Sequence, residues 1–137
     1  MDRSDFLRVL GLGSLLPIAG GLSEAKPRLD KIRLKEFFIA GFIYYDGIDE
    51  IEALSLGDVL ELRPEPENVH DEEAIEIYTR QGVKLGYVPR IHNTVMAELI
   101  RQRVPLQAVV TEIKPDNDPW EMVKVEVAQR VSMLTAN

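Results

Sequence analysis

Apolar and polar residues alternate along Val59-Leu60-Glu61-Leu62-Arg63, the period of a strand with one wet face. Pro64 and Pro66 lack the amide hydrogen that a ladder needs, so the strand is expected to end there. Glu67 to Asp71 reads as a polar loop, in which Asn68 and Asp71 can fold their side chains back onto backbone amides. Ala74 to Tyr78 alternates again, Gln81-Gly82 marks a hairpin turn, and Val83 to Val88 is the returning strand. Gly86 leaves no side chain beside Tyr87, so another segment can approach the backbone closely there. Pro89 stops that strand and can open a helix.

Upstream, the apolar and aromatic run Glu36 to Tyr45 reads as a buried first strand, and Asp46-Gly47 and Gly57-Asp58 are turn signals. Ile48, Ile51 and Leu54 between them suit a short helix or a turn. Downstream, Ile91, Val95, Met96, Leu99 and Ile100 fall on one helical face, with Asn93 or Thr94 as a cap and Pro105 as the stop. Leu106 to Ile113 reads as a strand, Lys114 to Pro119 as a polar loop, and Trp120 to Val131 as a long alternating final strand. About six short strands around one main helix predict a mainly β, α+β domain built as a small OB-like β-barrel rather than a parallel sheet. The domain is expected over residues 36–132, behind a basic linker over residues 26–35.

The first 25 residues have a different character. Arg3 and Arg8 make a basic start, Val9 to Leu22 is apolar and rich in glycine, and Ser23-Glu24-Ala25 resembles a small-x-small cleavage site. This is the organisation of a bacterial signal peptide, which predicts export to the periplasm and a mature form without a membrane anchor. Arg3-Ser4-Asp5-Phe6-Leu7-Arg8 resembles a twin-arginine motif with Ser4 where the second arginine belongs. The apolar run is too short, and too interrupted by Gly and Pro17, for a good spanning helix. The alternative is an uncleaved amphipathic N-terminus on a cytoplasmic protein.

Composition narrows the chemistry. The chain has 137 residues, 45% of them hydrophobic, enough for one domain with a core. A formal net charge of −7 argues against general binding to phosphate backbones, so any nucleic-acid site must be small and locally basic. The absence of cysteine excludes disulfides, thiolate metal sites and cysteine nucleophiles. The two histidines, His70 and His92, carry no metal-ligand spacing, and neither a nucleophile elbow nor a G-x-x-x-x-G-K phosphate loop occurs. No metal or cofactor is expected, and the chain reads as a binding module rather than an enzyme.

Several residues have chemistry suited to a ligand. In a strand, Tyr44 and Tyr45 point to opposite faces, so one can enter the core while the other offers a stacking surface; alternatively both pack the barrel. Asn68 and Asp71 can address a base edge or a sugar hydroxyl, or simply shape their own loop. Arg90 stands where a helix start would add free amides to its charge, a good place for a phosphate. Arg63, Lys84, Arg101 and Arg103 can add to that field, or be solvated surface charge. Trp120 follows a polar loop, where it either caps the core or forms an exposed platform.

In order along the chain, Gly41-Phe42-Ile43-Tyr44-Tyr45, Leu62-Arg63-x-Glu65-Pro66-x-Asn68-x-x-Asp71-x-x-Ala74-Ile75-x-Ile77 and Gly82-x-x-Leu85-Gly86-Tyr87-Val88-Pro89-Arg90 resemble a HIRAN domain, over roughly Phe37 to Val131. The resemblance implies a small barrel related to the OB fold. From the best-known members, which are attached to Swi/Snf-type DNA translocases, it implies binding of the free 3′ end of single-stranded DNA. It places Tyr44, Tyr45, Asn68, His70, Asp71, Tyr87, Arg90 and Trp120 on one rim, where the chemistry of Asn68 and Asp71 suits a base edge and the terminal hydroxyl. In a well-studied animal member an arginine precedes the aromatic pair, where Ile43 stands here; His70 takes a position that is often aromatic, and Tyr87 one that is histidine in some relatives. The expected partner is thus a single-stranded DNA 3′ end. The alternative is an exported domain that kept the fold without DNA binding and takes another protein or ligand, in keeping with the acidic balance and Ile43. The export reading is tested first: protein from the native host should begin at Lys26 by mass spectrometry, and intact Met1 recovered from the cytosol would count against it.

Overall fold

The computed structural model describes residues 30–131. The expected signal segment 1–25 and the first part of the expected linker lie outside the described residues, as does Ser132. Six strands follow in chain order: β1 (Lys31–Phe38), β2 (Val59–Pro64), β3 (Ile75–Tyr78), β4 (Lys84–Tyr87), β5 (Leu106–Ile113) and β6 (Val123–Arg130). A short helix α1 (Gly47–Glu50) lies between β1 and β2, and the main helix α2 (Arg90–Arg101) lies between β4 and β5. The strands form one sheet in the order β1-β6-β5-β2-β3-β4, and every pair is antiparallel. Just past β1, Ala40 pairs with Tyr87 of β4 through two backbone hydrogen bonds of 2.9 Å each. That single bridge joins the two ends of the sheet and makes it a barrel.

The core follows the period-two pattern. Val123, Val125 and Val127 of β6, Ile75 and Ile77 of β3, Leu85 of β4, and Ala108 and Val110 of β5 are buried together with Ile39, Phe42 and Met96. The hairpin between β3 and β4 turns at Gly82, as its sequence implies, with Thr79 holding the neck through hydrogen bonds to Val83.

Four expectations change. The first strand is Lys31–Phe38 rather than 36–45, so the domain begins within the presumed linker. Its charged positions disguise it: Lys31 and Arg33 reach Glu126 of the adjacent β6 at 3.4 and 3.5 Å, so an alternating basic run is a half-solvated strand. The aromatic run beyond it is a turn. Gly41 takes φ +69°, Phe42–Tyr44 is a 3-10 turn, and Phe42 is the residue that enters the core. Tyr44 and Tyr45 therefore do not alternate across a sheet; Tyr44 is 82% and Tyr45 37% exposed. The last strand starts at Val123, and Trp120 sits in a 3-10 turn over Pro119–Glu121.

The fourth change is the rotation of α2. Its inward face is Asn93, Met96 and Ala97, with Ile100 packed against the core, while Ile91 and Val95 are 85% and 66% exposed. Leu99 is half-buried. The helix is turned by two contacts that apolar periodicity does not register: the Asn93 carboxamide donates to Asp71 at 2.7 Å, and the His92 ring stacks on Phe37 at 5.9 Å. Asn93 thus holds a buried position instead of capping the helix, whose N-cap is Pro89. Met96→Ala should cost about 2–5 kcal/mol in denaturant unfolding, whereas Val95→Ala should stay within about 0.5 kcal/mol. Equal losses would place both side chains on the inward face.

Candidate functional site

The loop between β2 and β3 is built by its own side chains. The Glu65 amide bonds the Ala74 carbonyl at 2.8 Å and holds the two ends together. Asn68 Oδ1 accepts from the amides of His70 and Asp71 at 2.8 and 3.0 Å. Asp71 Oδ1 accepts from the Glu73 amide at 2.9 Å. The loop is then tied to the start of α2: Asp71 Oδ2 accepts from Asn93 Nδ2 at 2.7 Å and from Arg90 Nε at 3.3 Å, and Arg90 Nη2 donates to the His70 carbonyl at 2.6 Å. These bonds leave His70 and Val69 standing out into solvent at the loop tip.

A second set of bonds comes from the sheet. Tyr87 donates its hydroxyl to Glu65 Oε1 at 2.7 Å, and Asn68 Nδ2 donates to the same oxygen at 2.8 Å. Lys84 Nζ donates to Tyr87 Oη at 2.9 Å and pairs with Glu76 at 3.0 Å. The same ammonium lies 4.3 Å from the Tyr45 ring centroid and 4.4 Å from that of Tyr87. The two rings are tilted by 58° with centroids 5.8 Å apart.

Between loop, sheet and helix lies a cleft of about 280 Å³ lined by Ala40, Tyr45, Asn68, His70, Asp71, Ala74, Tyr87, Val88, Arg90 and Asn93. Six of the eight residues expected on one rim meet here, from four separate segments. Tyr44 and Trp120 do not line the cleft; they stand exposed on two 3-10 turns that pack against each other. Asn93 and Glu65 belong to the constellation without having been singled out as ligand-facing, and Lys84, expected only to add to a phosphate-binding field, is instead bonded to Tyr87 and Glu76. Their signal was faint: a polar residue within an apolar helical stripe, and charged residues in strand-like stretches. A larger hollow of about 630 Å³ lies between the segment after α1 and the β3–β4 hairpin. Two of its polar groups are committed internally, Asp58 to the Ser55 amide at 2.9 Å and the Thr79 hydroxyl to the Val83 amide at 3.0 Å.

The bonds set the charges. The Glu73 amide first, then Asn93 and Arg90, hold the Asp71 carboxyl below the usual carboxylate range. The Tyr87 hydroxyl and Asn68 do the same for Glu65. Burial, then the bond to Glu65, pushes Tyr87 up to about 12. Burial of Lys84 opposes its charge, but its bonds to Tyr87 and Glu76 prevail and raise its pKa. The cleft and the side chains behind it thus carry two carboxylates, a neutral phenol and an ammonium at neutral pH. Because both carboxyl pKa values fall on folding, their stabilisation is complete above the ordinary values of 4.5 for Glu65 and 3.8 for Asp71. It is lost as pH falls through the lower folded values. In NMR spectra the Glu73 backbone amide and the Asn93 side-chain amide, which donate to Asp71, should shift only as pH falls below the ordinary carboxyl value of 3.8. A loop unchanged at pH 2 would mean that these carboxylates do not hold it.

The fold and the residue pattern agree with known proteins. The HIRAN domain family model matches residues 32–132. No curated protein matches the chain in sequence. The crystal structure of a protein from Lactobacillus plantarum superposes with a TM-score of 0.64 and 27% identity, covering 72% of this chain and 94% of its own. The crystal structure of the HIRAN domain of human HLTF superposes with a TM-score of 0.60 and 15% identity, covering 77% of this chain and 83% of its own. An NMR structure of the HLTF HIRAN domain gives a TM-score of 0.51 at 17% identity, over 74% of this chain and 80% of its own. With most of its length matched by the family and its strands and helix in the same arrangement, this chain belongs to the HIRAN domain family.

Proposed function

We propose that the domain is a nucleic-acid-binding module that takes the 3′ end of a single strand into the cleft beside Tyr45 and Tyr87. The observation that carries this reading is the convergence of stacking rings, a carboxylate, a carboxamide and a helix start in one small cleft. Its volume is near the lower end of ordinary ligand pockets, roughly 300 Å³, which suits a terminus better than the middle of a polymer. The DNA-end binding implied by the family resemblance supports the same assignment.

Each group has a role its remaining valences allow. Tyr45 stacks a terminal base, and the exposed His70 ring borders it. Asn68 has one amide hydrogen beyond its bond to Glu65 for a base edge or sugar. Asp71 takes three donors, so a fourth acceptor direction remains for a hydroxyl. Arg90, with its side chain 70% exposed, and the first amides of α2 hold a phosphate. Tyr44 and Trp120 contact the next base outward.

A second reading has its own support. Both cations at the cleft already face carboxylates, Arg90 on Asp71 and Lys84 on Glu76, and Ile43 is 53% exposed where the resemblance implies an arginine. An exported domain that binds a neutral ligand or a protein would need no free phosphate-binding charge.

Fluorescence anisotropy with a short labelled strand separates the two. A free 3′-hydroxyl end should bind best, and a 3′-phosphate should bind less well because it meets the Asp71 charge without offering a donor. Tyr45→Ala should cost about 1–3 kcal/mol of binding, with a salt slope of about one or two released ions. Equal binding to 3′-hydroxyl, 3′-phosphate and 5′-only accessible ends would reject end recognition. No binding at low salt would leave the second reading.

A further inference from the structure

Lys84 contacts both tyrosines yet does not line the cleft. It sits behind them, on the outer face of the β3–β4 pair, where Tyr78 registers opposite Lys84 and Glu76 opposite Tyr87. Its three ammonium hydrogens have distinct destinations. One points to Tyr87 Oη at 2.9 Å, one to Glu76 at 3.0 Å, and the third is left for the ring faces 4.3 and 4.4 Å away. Tyr87 in turn donates to Glu65, and Glu65 holds the amide of Asn68. Asn68 then fixes the His70 and Asp71 amides with its oxygen. One ammonium therefore stands at the head of a chain of bonds that ends in the loop bordering the cleft.

We infer that Lys84 is a positioning residue of this site: its cation, held between the two tyrosines, sets the angle of the Tyr45 stacking face and, through Tyr87 and Glu65, the shape of the Asn68 loop. Among the described residues the Tyr45 side chain makes no hydrogen bond, and Tyr45 ends a 3-10 turn rather than lying in the sheet, which leaves the Lys84 cation as its polar contact. Attraction to the shared ammonium ties that turn to β4. Accepting from Lys84 also commits the Tyr87 hydroxyl to donate in the one remaining direction, toward Glu65. The face of Tyr45 turned to Lys84 is taken, so the outward face alone is left for a ligand. This rests on the reading of the cleft as the binding site.

The test uses the whole chain with Lys84→Met, Lys84→Arg and, so that no carboxylate is left without its partner, Lys84→Met combined with Glu76→Gln. Two readouts are taken: NMR signals of the Tyr45 ring and the Asn68 side-chain amide, and anisotropy with a short 3′-hydroxyl single strand. Lys84→Met should move the Asn68 amide signals, although that side chain does not touch Lys84, and weaken strand binding roughly five- to thirtyfold. Lys84→Arg, which keeps the cation but not the compact ammonium, should recover part of the binding lost in Lys84→Met and move the Asn68 signals less. The paired variant decides if Lys84→Met alone fails to fold. Unmoved Asn68 signals in folded Lys84→Met protein overturn the inference, and so does an arginine variant as damaged as the methionine one. If the unaltered protein does not bind the strand, the nucleic-acid reading fails while the NMR comparison still decides the role of Lys84.

Discussion

One close backbone contact makes this molecule a barrel. Ala40 and Tyr87 exchange two hydrogen bonds of 2.9 Å across the ends of a sheet that is otherwise open along that seam. The contact depends on Gly86, where a Cβ would lie 2.3 Å from the Ala40 carbonyl oxygen and 2.6 Å from the Ile39 side chain. Its φ of +154° is also one that residues with side chains rarely adopt. Closure buries Ile39 and Phe42 on either side of Ala40 and leaves Tyr45 beside Tyr87. Fold and cleft share one seam: both partners of the bridge line the cleft.

The cleft is organised by polar groups that are nearly all satisfied before any ligand arrives. Glu65 accepts from Tyr87 and Asn68, and Asp71 accepts from Glu73, Asn93 and Arg90. Such a network is rigid because breaking one member leaves a desolvated partner behind. Rigidity lowers the entropic cost of taking up a small ligand and limits which ligands fit.

The comparison with HLTF separates architecture from chemistry. At 15% identity the likeness establishes the arrangement of strands and helix, whereas ligand choice depends on side chains that differ. The Lys84 ammonium lies 4.3 and 4.4 Å from the Tyr45 and Tyr87 ring centroids, and both Lys84 and Arg90 are paired with carboxylates.

Much was legible in the residues themselves. The alternation of β2, β3 and β5, the Gly82 hairpin, the Pro89 helix start and the close approach at Gly86 each follow from local rules, because a strand period, a turn glycine and a missing amide act within a few residues. The ordered motif from Gly41 to Arg90 also placed the chain in its family. The tertiary structure decided what those rules cannot reach. It made Lys31–Phe38 a strand, since Glu126 on β6 compensates its basic residues. It turned α2 so that Asn93 faces inward, since the buried partner is Asp71, 22 residues away. It assembled Tyr45, Tyr87 and Lys84 while leaving Tyr44 and Trp120 on the turns outside, because ring positions depend on where the barrel closes. Local sequence determines which segments can be strands or turns, whereas long-range hydrogen bonds and charge pairs determine which of their faces meet.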